Sequence, residues 1–346
     1  MNAPLLEVEN LSVHFTTRRG VVRAVREVSL HVEQGETLGI VGESGSGKSV
    51  AMQAVMGLID APGEICNGDI RWRGRTLLGE AGRRRLQEVR GNRMSMIFQD
   101  PMTSLNPVMT VGAQLVEVLV RHLKMPPVQA WRRAEELLAL VNIGAPGRRL
   151  RQHPHELSGG MRQRVMIAMA LACEPELLIA DEPTTALDVT VQAQILELIA
   201  ELQQRLHLSV ILITHDLGVV AQVCHRVAVM YAGRIAETGE AVDLFARPGH
   251  PYTQGLLRAT PRHDDVAERL IAIDGAPPDL VSAPPGCGFQ QRCPVYGKEC
   301  DGPAPSLSYE HGRRLACWHA FERAWPELVA ERKQAIHALD ARIYGL

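Results

Sequence analysis

Apolar and polar residues alternate along the first forty positions in the way that the strands of a half-buried sheet do. The segments 6–8, 13–15 and 28–32 follow this pattern, and Gly20 and Gly35 mark turns between them. We therefore predict an N-terminal β subdomain.

A second pattern begins after residue 36, where short, continuous apolar runs alternate with stretches of helical periodicity. Such runs are typical of parallel strands that are buried on both faces, and they occupy residues 37–41, 94–98, 177–180, 210–214 and 226–230. A further strand is predicted at 69–72, and helix-rich sequence from about 111 to 141 is broken at Pro126-Pro127. This order predicts a doubly wound α/β core with a helical insertion over about 100–158.

The composition changes near residue 276. The segments 276–278 and 283–286 contain too much proline for a helix and predict an extended linker. The linker is expected to separate a core domain of about 1–260 from a C-terminal extension of 261–346. A helix is predicted to begin near Pro326.

Charge and hydropathy exclude several classes of protein. The net charge of −2 argues against nucleic acid as a partner, because duplex binders carry a strong basic excess. No apolar run approaches the ~20 residues that span a bilayer, and the N-terminus lacks the order of a signal peptide. We expect a cytoplasmic chain that reaches a membrane through partners.

The strand at 37–41 leads into a glycine-rich loop with the pattern G-x-x-x-x-G-K-S. Its residues are Gly42, Glu43, Ser44, Gly45, Ser46, Gly47, Lys48 and Ser49. The glycines allow consecutive main-chain N–H groups to surround the phosphates of a nucleotide. Lys48 can reach the β- and γ-phosphates, and the Ser49 hydroxyl can bind Mg²⁺. This pattern predicts an ATP site at the start of a helix.

The apolar strand at 177–180 ends in two adjacent acids, Asp181 and Glu182. Buried strands rarely end in two adjacent acids unless the carboxylates have a functional role. Beside a phosphate loop, Asp181 can support the Mg²⁺ shell and Glu182 can polarise a water for in-line attack on the γ-phosphate.

A third motif, Leu157-Ser158-Gly159-Gly160, precedes a helical pattern that continues through Met169. Ser158 suits the N-cap, and the glycines favour anion binding at the helix N-terminus. With the phosphate loop and the paired acids, this motif resembles the signature sequence of the ABC-type ATPases. The resemblance covers at least residues 5–260 and implies a P-loop ATPase core with an antiparallel β subdomain.

The resemblance also implies roles for residues that are weak signals by themselves. Gln99 matches the glutamine that contacts the metal and water shell, and His215 matches the switch histidine that contacts the γ-phosphate. Asp188 matches the loop that communicates across a dimer. Phe15 lies where the family places an aromatic ring against adenine, although it could instead pack in the sheet.

In the family, ATP is bound between two such domains, with the phosphate loop of one facing the signature helix of the other. This chain has one copy of each motif. It is therefore expected to pair with a second ATPase domain.

Two further segments, 98–107 and 250–257, resemble those of the ATP-binding subunits of bacterial dipeptide and oligopeptide importers. That resemblance reaches about residue 320 and implies a second, different ATPase subunit, two membrane permeases and a periplasmic or extracellular peptide-binding protein. It places the chain at the cytoplasmic face of the inner membrane. Related systems carry nickel, haem or sugars, so the substrate stays open, and a soluble ABC ATPase acting on nucleic acid or the ribosome is a weaker alternative.

Four of the seven cysteines crowd into the segment 287–317 with the spacing C-x5-C-x6-C-x16-C: Cys287, Cys293, Cys300 and Cys317. A reducing cytoplasm disfavours disulfides, and the spacing departs from both zinc and ferredoxin patterns. The importer resemblance favours a [4Fe-4S] cluster, with zinc or free thiols as alternatives. His311 and His319 lie nearby as spare ligands, but we expect them to be surface residues. Cys66, Cys173 and Cys224 are expected to be buried thiols.

Overall fold

The computed structural model describes residues 3–100, 104–185, 187–259, 272–310 and 313–320, without the side chains of 309 and 310. The chain forms two compact units. Unit 1 contains Met1–Leu6, Val32–Thr37 and Arg71–Ile213, and unit 2 contains Glu7–His31, Leu38–Ile70 and Thr214–Leu346.

The described residues form twelve strands and ten α-helices with bounds as follows. The strands are β1 Leu6–Thr17, β2 Gly20–Val32, β3 Thr37–Val41, β4 Gly63–Trp72, β5 Arg75–Thr76, β6 Met94–Ile97, β7 Leu177–Asp181, β8 Ser209–Ile213, β9 Arg226–Tyr231, β10 Arg234–Glu240, β11 Ser308–Glu310 and β12 Arg313–Leu315. The α-helices are α1 Lys48–Val55, α2 Gly79–Val89, α3 Val111–Leu123, α4 Pro127–Leu140, α5 Pro146–Arg149, α6 Gly159–Leu171, α7 Val189–Leu206, α8 Leu217–Val223, α9 Ala241–Ala246 and α10 Pro251–Arg258.

Unit 1 is built on three parallel strands in the order β6, β7, β8. Every residue of these strands is buried, as their continuous apolar runs predict. Ile97 pairs with Ala180, and Asp181 pairs with Ile213. Because the strands are parallel, the residues that follow β6 and β7 lie at the same edge of the sheet.

The helical part of unit 1 breaks where the prolines predict. Thr110 caps α3 by accepting a hydrogen bond from the N–H of Ala113, and α3 ends at Lys124 in the left-handed conformation. Pro127 begins α4, where its missing N–H costs nothing. Gly112 allows close packing of the two helices, since a Cβ there would lie 2.7 Å from the Trp131 ring.

Unit 2 contains the predicted N-terminal β subdomain, in which β2, β1 and β4 are neighbours. The two predicted segments 6–8 and 13–15 form the single strand β1. A second sheet runs in the order β11, β12, β10, β9, β3, with β3 parallel to β9 and the other pairs antiparallel. The architecture is α/β with mixed sheets.

The C-terminal segment packs directly against strands of unit 2. Strand β12 pairs with β10, so that Glu237 lies opposite Leu315. Arg313 of β12 forms an ion pair with Glu237 at 3.3 Å, and both side chains are buried. The proline-rich stretch also packs on β2, because Arg26 Nη2 donates to the Pro284 carbonyl at 3.1 Å. These contacts, which join positions far apart in sequence, make the segment part of unit 2.

Two further expectations concern the thiols and the C-terminus. Cys173 and Cys224 are buried as predicted, but Cys66 is exposed because it lies on β4 at a position that faces outward. The helix expected near Pro326 lies outside the described residues. None of the described helices combines the length and the hydropathy that crossing a membrane requires.

Candidate functional site

The phosphate loop connects β3 to α1 in unit 2, and its glycines are required by close main-chain contacts. Gly42 has φ +148°, and a Cβ there would lie 2.1 Å from the Met230 carbonyl oxygen. Gly47 has φ +100°, and its Cβ would lie 2.4 Å from the Ala24 carbonyl oxygen. An L side chain would therefore meet both an unfavourable φ and a backbone clash at these two positions.

Lys48 is the first residue of α1 and is buried. Its ammonium group donates to the carbonyls of Gly42 at 2.8 Å and Glu43 at 3.0 Å, and it lies 3.5 Å from the Ser46 hydroxyl. Ser49 follows in the first turn of the helix. The loop thus combines a helix N-terminus, a buried cation and a hydroxyl, which together suit a nucleotide phosphate with Mg²⁺.

Residues Glu43 and Tyr252 join the loop to a distant part of unit 2. The N–H of Glu43 donates to the Tyr252 hydroxyl at 2.8 Å. The Glu43 carboxylate accepts two hydrogen bonds from Arg292, at 2.7 and 3.1 Å. The sequence analysis predicted neither Tyr252 nor Arg292 as a partner of Glu43. The segment 250–257, which contains Tyr252, indicated a transporter subfamily but gave no sign of a contact with the phosphate loop.

Unit 1 holds the predicted catalytic carboxylate together with Gln99. Glu182 follows β7 with φ +44°, and its N–H donates to the Ile213 carbonyl at 2.9 Å. Its Oε2 accepts hydrogen bonds from Gln99 Nε2 and from Thr185 Oγ1, both at 2.9 Å. Asp181 is the buried last residue of β7. Thr185 was not predicted as a site residue. It lies three residues after Glu182 and donates to the same carboxylate oxygen as Gln99 does.

The signature turn lies at the start of α6 in unit 1. The Ser158 hydroxyl caps the helix by accepting a hydrogen bond from the N–H of Met161 at 3.4 Å, as predicted. A Cβ on Gly160 would lie 2.8 Å from the Val191 side chain, and one on Gly159 would lie 3.2 Å from the Leu187 side chain. The glycines therefore let α6 approach the residues around the start of α7.

Asp188 is the N-cap of α7. Its Oδ1 accepts a hydrogen bond from the N–H of Val191 at 3.0 Å. Gln192 donates to the carbonyls of Thr184 and Leu187, at 3.2 and 3.0 Å. These bonds hold the loop between β7 and α7, part of which lies outside the described residues.

The remaining predicted residues, His215 and Phe15, belong to unit 2. His215 is exposed and lies between β8 and α8, next to the N-cap Asp216. Phe15 is half-buried in β1, and its ring lies against Gly63, where a Cβ would be 2.5 Å from the ring edge. The structure thus brings Gln99 and Glu182 together in unit 1, and it places Phe15, the phosphate loop and His215 in unit 2.

The four C-terminal cysteines share one neighbourhood in unit 2. The N–H of Cys287 donates to the Cys300 carbonyl at 3.4 Å, and the thiol of Cys317 interacts electrostatically with the other three. Burial raises the pKa of Cys293 to about 11 and that of Cys317 to about 12. In the described part of the chain, no cluster of three or more His, Cys, Asp or Glu side chains is arranged to hold a single metal ion.

The two spare histidine ligands are placed differently. His319 follows the cysteine segment, and its main-chain N–H donates to the Cys317 sulfur at 3.4 Å. Its ring Nε2 lies 3.2 Å from a Glu299 carboxylate oxygen. His311 lies outside the described residues.

Comparison with known proteins shows the family to which the chain belongs. Residues 25–185 match the family described as ABC transporter, and residues 236–300 match the C-terminal region of oligopeptide/dipeptide transporters. The chain is 53% identical over 322 residues to the dipeptide transport ATP-binding protein DppD of Bacillus subtilis, which covers 92% of this chain and 96% of that protein. It is 51% identical over 318 residues to the oligopeptide transport ATP-binding protein OppD of Salmonella typhimurium, with coverage of 92% and 94%.

Solved structures share the fold. A dimeric post-hydrolysis structure of the ATP-binding cassette MJ0796 bound to ADP and Pi superposes with a TM-score of 0.60 at 26% identity, over 68% of this chain and 98% of that chain. The cbiO1 protein of Clostridium perfringens, part of the ABC transporter complex cbiONQ, gives a TM-score of 0.59 at 29% identity, over 71% and 92%.

The fold and the phosphate-loop site are those of an ABC-type ATPase. Within that class, the chain belongs to the family of dipeptide and oligopeptide transport ATP-binding proteins.

Glu182→Gln is expected to lower the ATP turnover of the assembled transporter by about 10²–10⁴-fold, the usual contribution of a general base. The amide oxygen can still accept hydrogen bonds from Gln99 and Thr185, so ATP binding should persist. Steady-state phosphate release and equilibrium ATP binding measure the two effects.

The matched control is Glu197→Gln, which removes the same charge from an exposed position on α7. It should leave both quantities unchanged. Turnover of Glu182→Gln equal to that of the unmodified protein would show that the general base lies elsewhere.

Proposed function

We propose that this chain hydrolyses ATP to drive the import of dipeptides or oligopeptides through a pair of membrane permeases. The observation that carries the proposal is identity above 50%, across 92% of the chain, to transport ATP-binding proteins for these substrates. The match of residues 236–300 to the C-terminal region of such transporters supports the same substrate class.

The proposed chemistry assigns one task to each predicted residue. The phosphate loop formed by residues 42–49 and the Lys48 ammonium bind the phosphates. Ser49, Asp181 and Gln99 would hold Mg²⁺, which neutralises charge on the β- and γ-phosphates.

Glu182 polarises the attacking water, and its orientation by Gln99 and Thr185 supports that role. His215 contacts the γ-phosphate, and Phe15 stacks on the adenine. The packing of Phe15 against Gly63 leaves the ring half-exposed.

We also propose that the site is completed by a second chain. The residues Ser158, Gly159, Gly160 and Asp188 would face the phosphate loop of that partner. A likeness to a dimeric ATP-binding cassette supports this pairing, and the importer resemblance favours a different, homologous subunit. The assembly would sit at the cytoplasmic face of the inner membrane and receive peptide from an external binding protein.

The proposed domain organisation follows the same assignment. Residues 1–260 form the ATPase domain, and helices α3, α4 and α5 support a helical insertion over about 100–158. Residues 261–346 form the extension that holds the cysteines. Although β12 pairs with β10, the extension keeps its own short strands and turns.

We propose that the four cysteines hold a [4Fe-4S] cluster, with zinc as the alternative. Their shared neighbourhood supports a four-thiolate site. A single zinc ion needs all four sulfurs at about 2.3 Å from one point, and the described side chains do not converge in that way.

The purified chain alone is expected to hydrolyse ATP slowly, because its signature turn has no facing phosphate loop. Adding the homologous ATPase subunit and the permeases should raise turnover, and binding protein loaded with a dipeptide should raise it further. Phosphate release measures the rate, and permeases without the second ATPase subunit provide the control. Full activity from a strictly monomeric chain would contradict a site shared between two chains. Stimulation by binding protein loaded with nickel, haem or sugar, but not by binding protein loaded with peptide, would contradict the assignment of peptides as the substrate.

Anaerobically purified protein is expected to be brown and to contain about four iron and four sulfide per chain. Cys293→Ser should bleach the protein, and Cys66→Ser, which changes an exposed thiol outside the segment, should not. Iron, zinc and acid-labile sulfide analyses distinguish the outcomes. Zinc without iron would replace the cluster by a structural ion, and absence of both metals from protein kept free of oxygen would remove the metal site.

A further inference from the structure

Two side chains that lie outside the phosphate loop of unit 2, those of Arg292 and Tyr252, form hydrogen bonds to Glu43 of the loop. Neither residue has a predicted role. Arg292 lies in the cysteine segment, and its guanidinium donates Nη1–H to Glu43 Oε2 at 2.7 Å and Nη2–H to Glu43 Oε1 at 3.1 Å. The Arg292 side chain is 6% exposed and that of Glu43 is 25% exposed. Paired hydrogen bonds of this kind fix the relative orientation of both planar groups.

The Arg292 guanidinium is itself held on its other sides. Its Nη1 also donates to the Tyr231 hydroxyl at 3.1 Å, and its Nε and Nη2 donate to the main-chain carbonyls of Asp274 and Ile273, at 2.9 and 3.2 Å. The guanidinium carbon lies 5.8 Å from the centre of the Tyr231 ring. These contacts leave the side chain little freedom to swing away from Glu43.

Tyr252 holds the main chain of the same loop residue. Its hydroxyl accepts the hydrogen bond from the N–H of Glu43 at 2.8 Å, and the side chain is completely buried. The ring packs against Tyr231, with centroids 4.4 Å apart, and against Phe289 at 5.4 Å. The start of α10 is fixed by His250, whose Nδ1 accepts a hydrogen bond from the N–H of Tyr252 at 3.0 Å.

We propose that Arg292 and Tyr252 are positioning residues for ATP binding, because together they hold Glu43, the second residue of the phosphate loop. Through Arg292, the folded cysteine segment sets the affinity of the loop for the nucleotide. The proposal rests on the ATP binding that the proposed function requires, and it depends neither on the transported substrate nor on the identity of a metal.

The physical reason is preorganisation. A phosphate loop binds well only when its N–H groups already point towards the phosphates, because ordering a mobile loop on binding subtracts from the affinity. Ser44 and Gly45, which follow Glu43, are exposed. Holding Glu43 by both its carboxylate and its N–H therefore restrains one end of the exposed part of the loop. The effect should appear in ATP affinity and KM, with little change in kcat.

The test measures the Kd for Mg-ATP of the full-length chain by isothermal titration. Arg292→Gln and Glu43→Gln should each weaken binding by about tenfold, which corresponds to about 1.4 kcal/mol. The double variant should bind no more weakly than either single variant, because both changes remove the same interaction. Tyr252→Phe keeps the ring packing but loses the acceptor for the Glu43 N–H, and it should weaken binding by about threefold or more.

Two variants in the same C-terminal part of unit 2 serve as controls. Arg314→Gln removes an identical charge from an exposed position on β12, and Tyr296→Phe removes a hydroxyl that bonds to Asp301 at 2.6 Å. Both should bind ATP as the unmodified chain does. Arg292→Lys, which keeps the charge but not the paired geometry, should recover part of the affinity and serves in place of Arg292→Gln if that variant does not fold.

Three results would overturn the proposal. They are unmodified affinity in Arg292→Gln or Arg292→Lys, unmodified affinity in Tyr252→Phe, and multiplied losses in the double variant. A fall in kcat at unchanged Kd and KM would equally assign these residues to another task. Failure of the unmodified chain to bind ATP would instead refute the proposed function, so the two failures are distinguishable.

Discussion

The close approach of main chain to main chain around the phosphate loop is the constraint on which this site depends. Carbonyl oxygens of Met230 and Ala24 lie where side chains of Gly42 and Gly47 would have to be. Strands β9 and β2 therefore shape the loop, and the loop in turn places Lys48 at the start of α1. Phosphate binding follows from this geometry, because N–H groups that are fixed in direction attract an anion without reorganising.

The arrangement of Gln99 and Glu182 depends on a different constraint, the parallel pairing of β6 with β7. That pairing brings Gln99 and Glu182 to one edge of the sheet, where they share a hydrogen bond. Glu182 follows the buried strand β7, and Thr185 supplies a second hydrogen bond to its carboxylate.

Local patterns predicted much of this molecule. The buried strands, the break at Pro126-Pro127 and the cap at Ser158 depend on residues within a few positions of each other, so they can be recognised in the sequence. The phosphate loop could be predicted for the same reason, since its glycines and Lys48 lie close together in the sequence.

The contacts that were missed join positions far apart. Tyr252 lies 209 residues from Glu43, and Arg292 lies 249 residues from it. Proline-rich sequence predicted an extended linker, but it gave no sign that the three-residue strand β12 pairs with β10, where Glu237 lies 76 residues before its partner Arg313. Such short strands carry too little alternation to be recognised, and their pairing is decided by tertiary packing.

The measurement that tests the central claim most directly is the Mg-ATP affinity of Gly47→Ala beside that of Gly45→Ala. Both glycines have positive φ, but a Cβ at Gly45 has no neighbour within 4 Å, whereas a Cβ at Gly47 lies 2.4 Å from the Ala24 carbonyl oxygen. If main-chain packing shapes the site, Gly47→Ala abolishes binding while Gly45→Ala weakens it by about tenfold or less, as expected for φ strain of about 1 kcal/mol. Equal losses in the two variants would contradict the account.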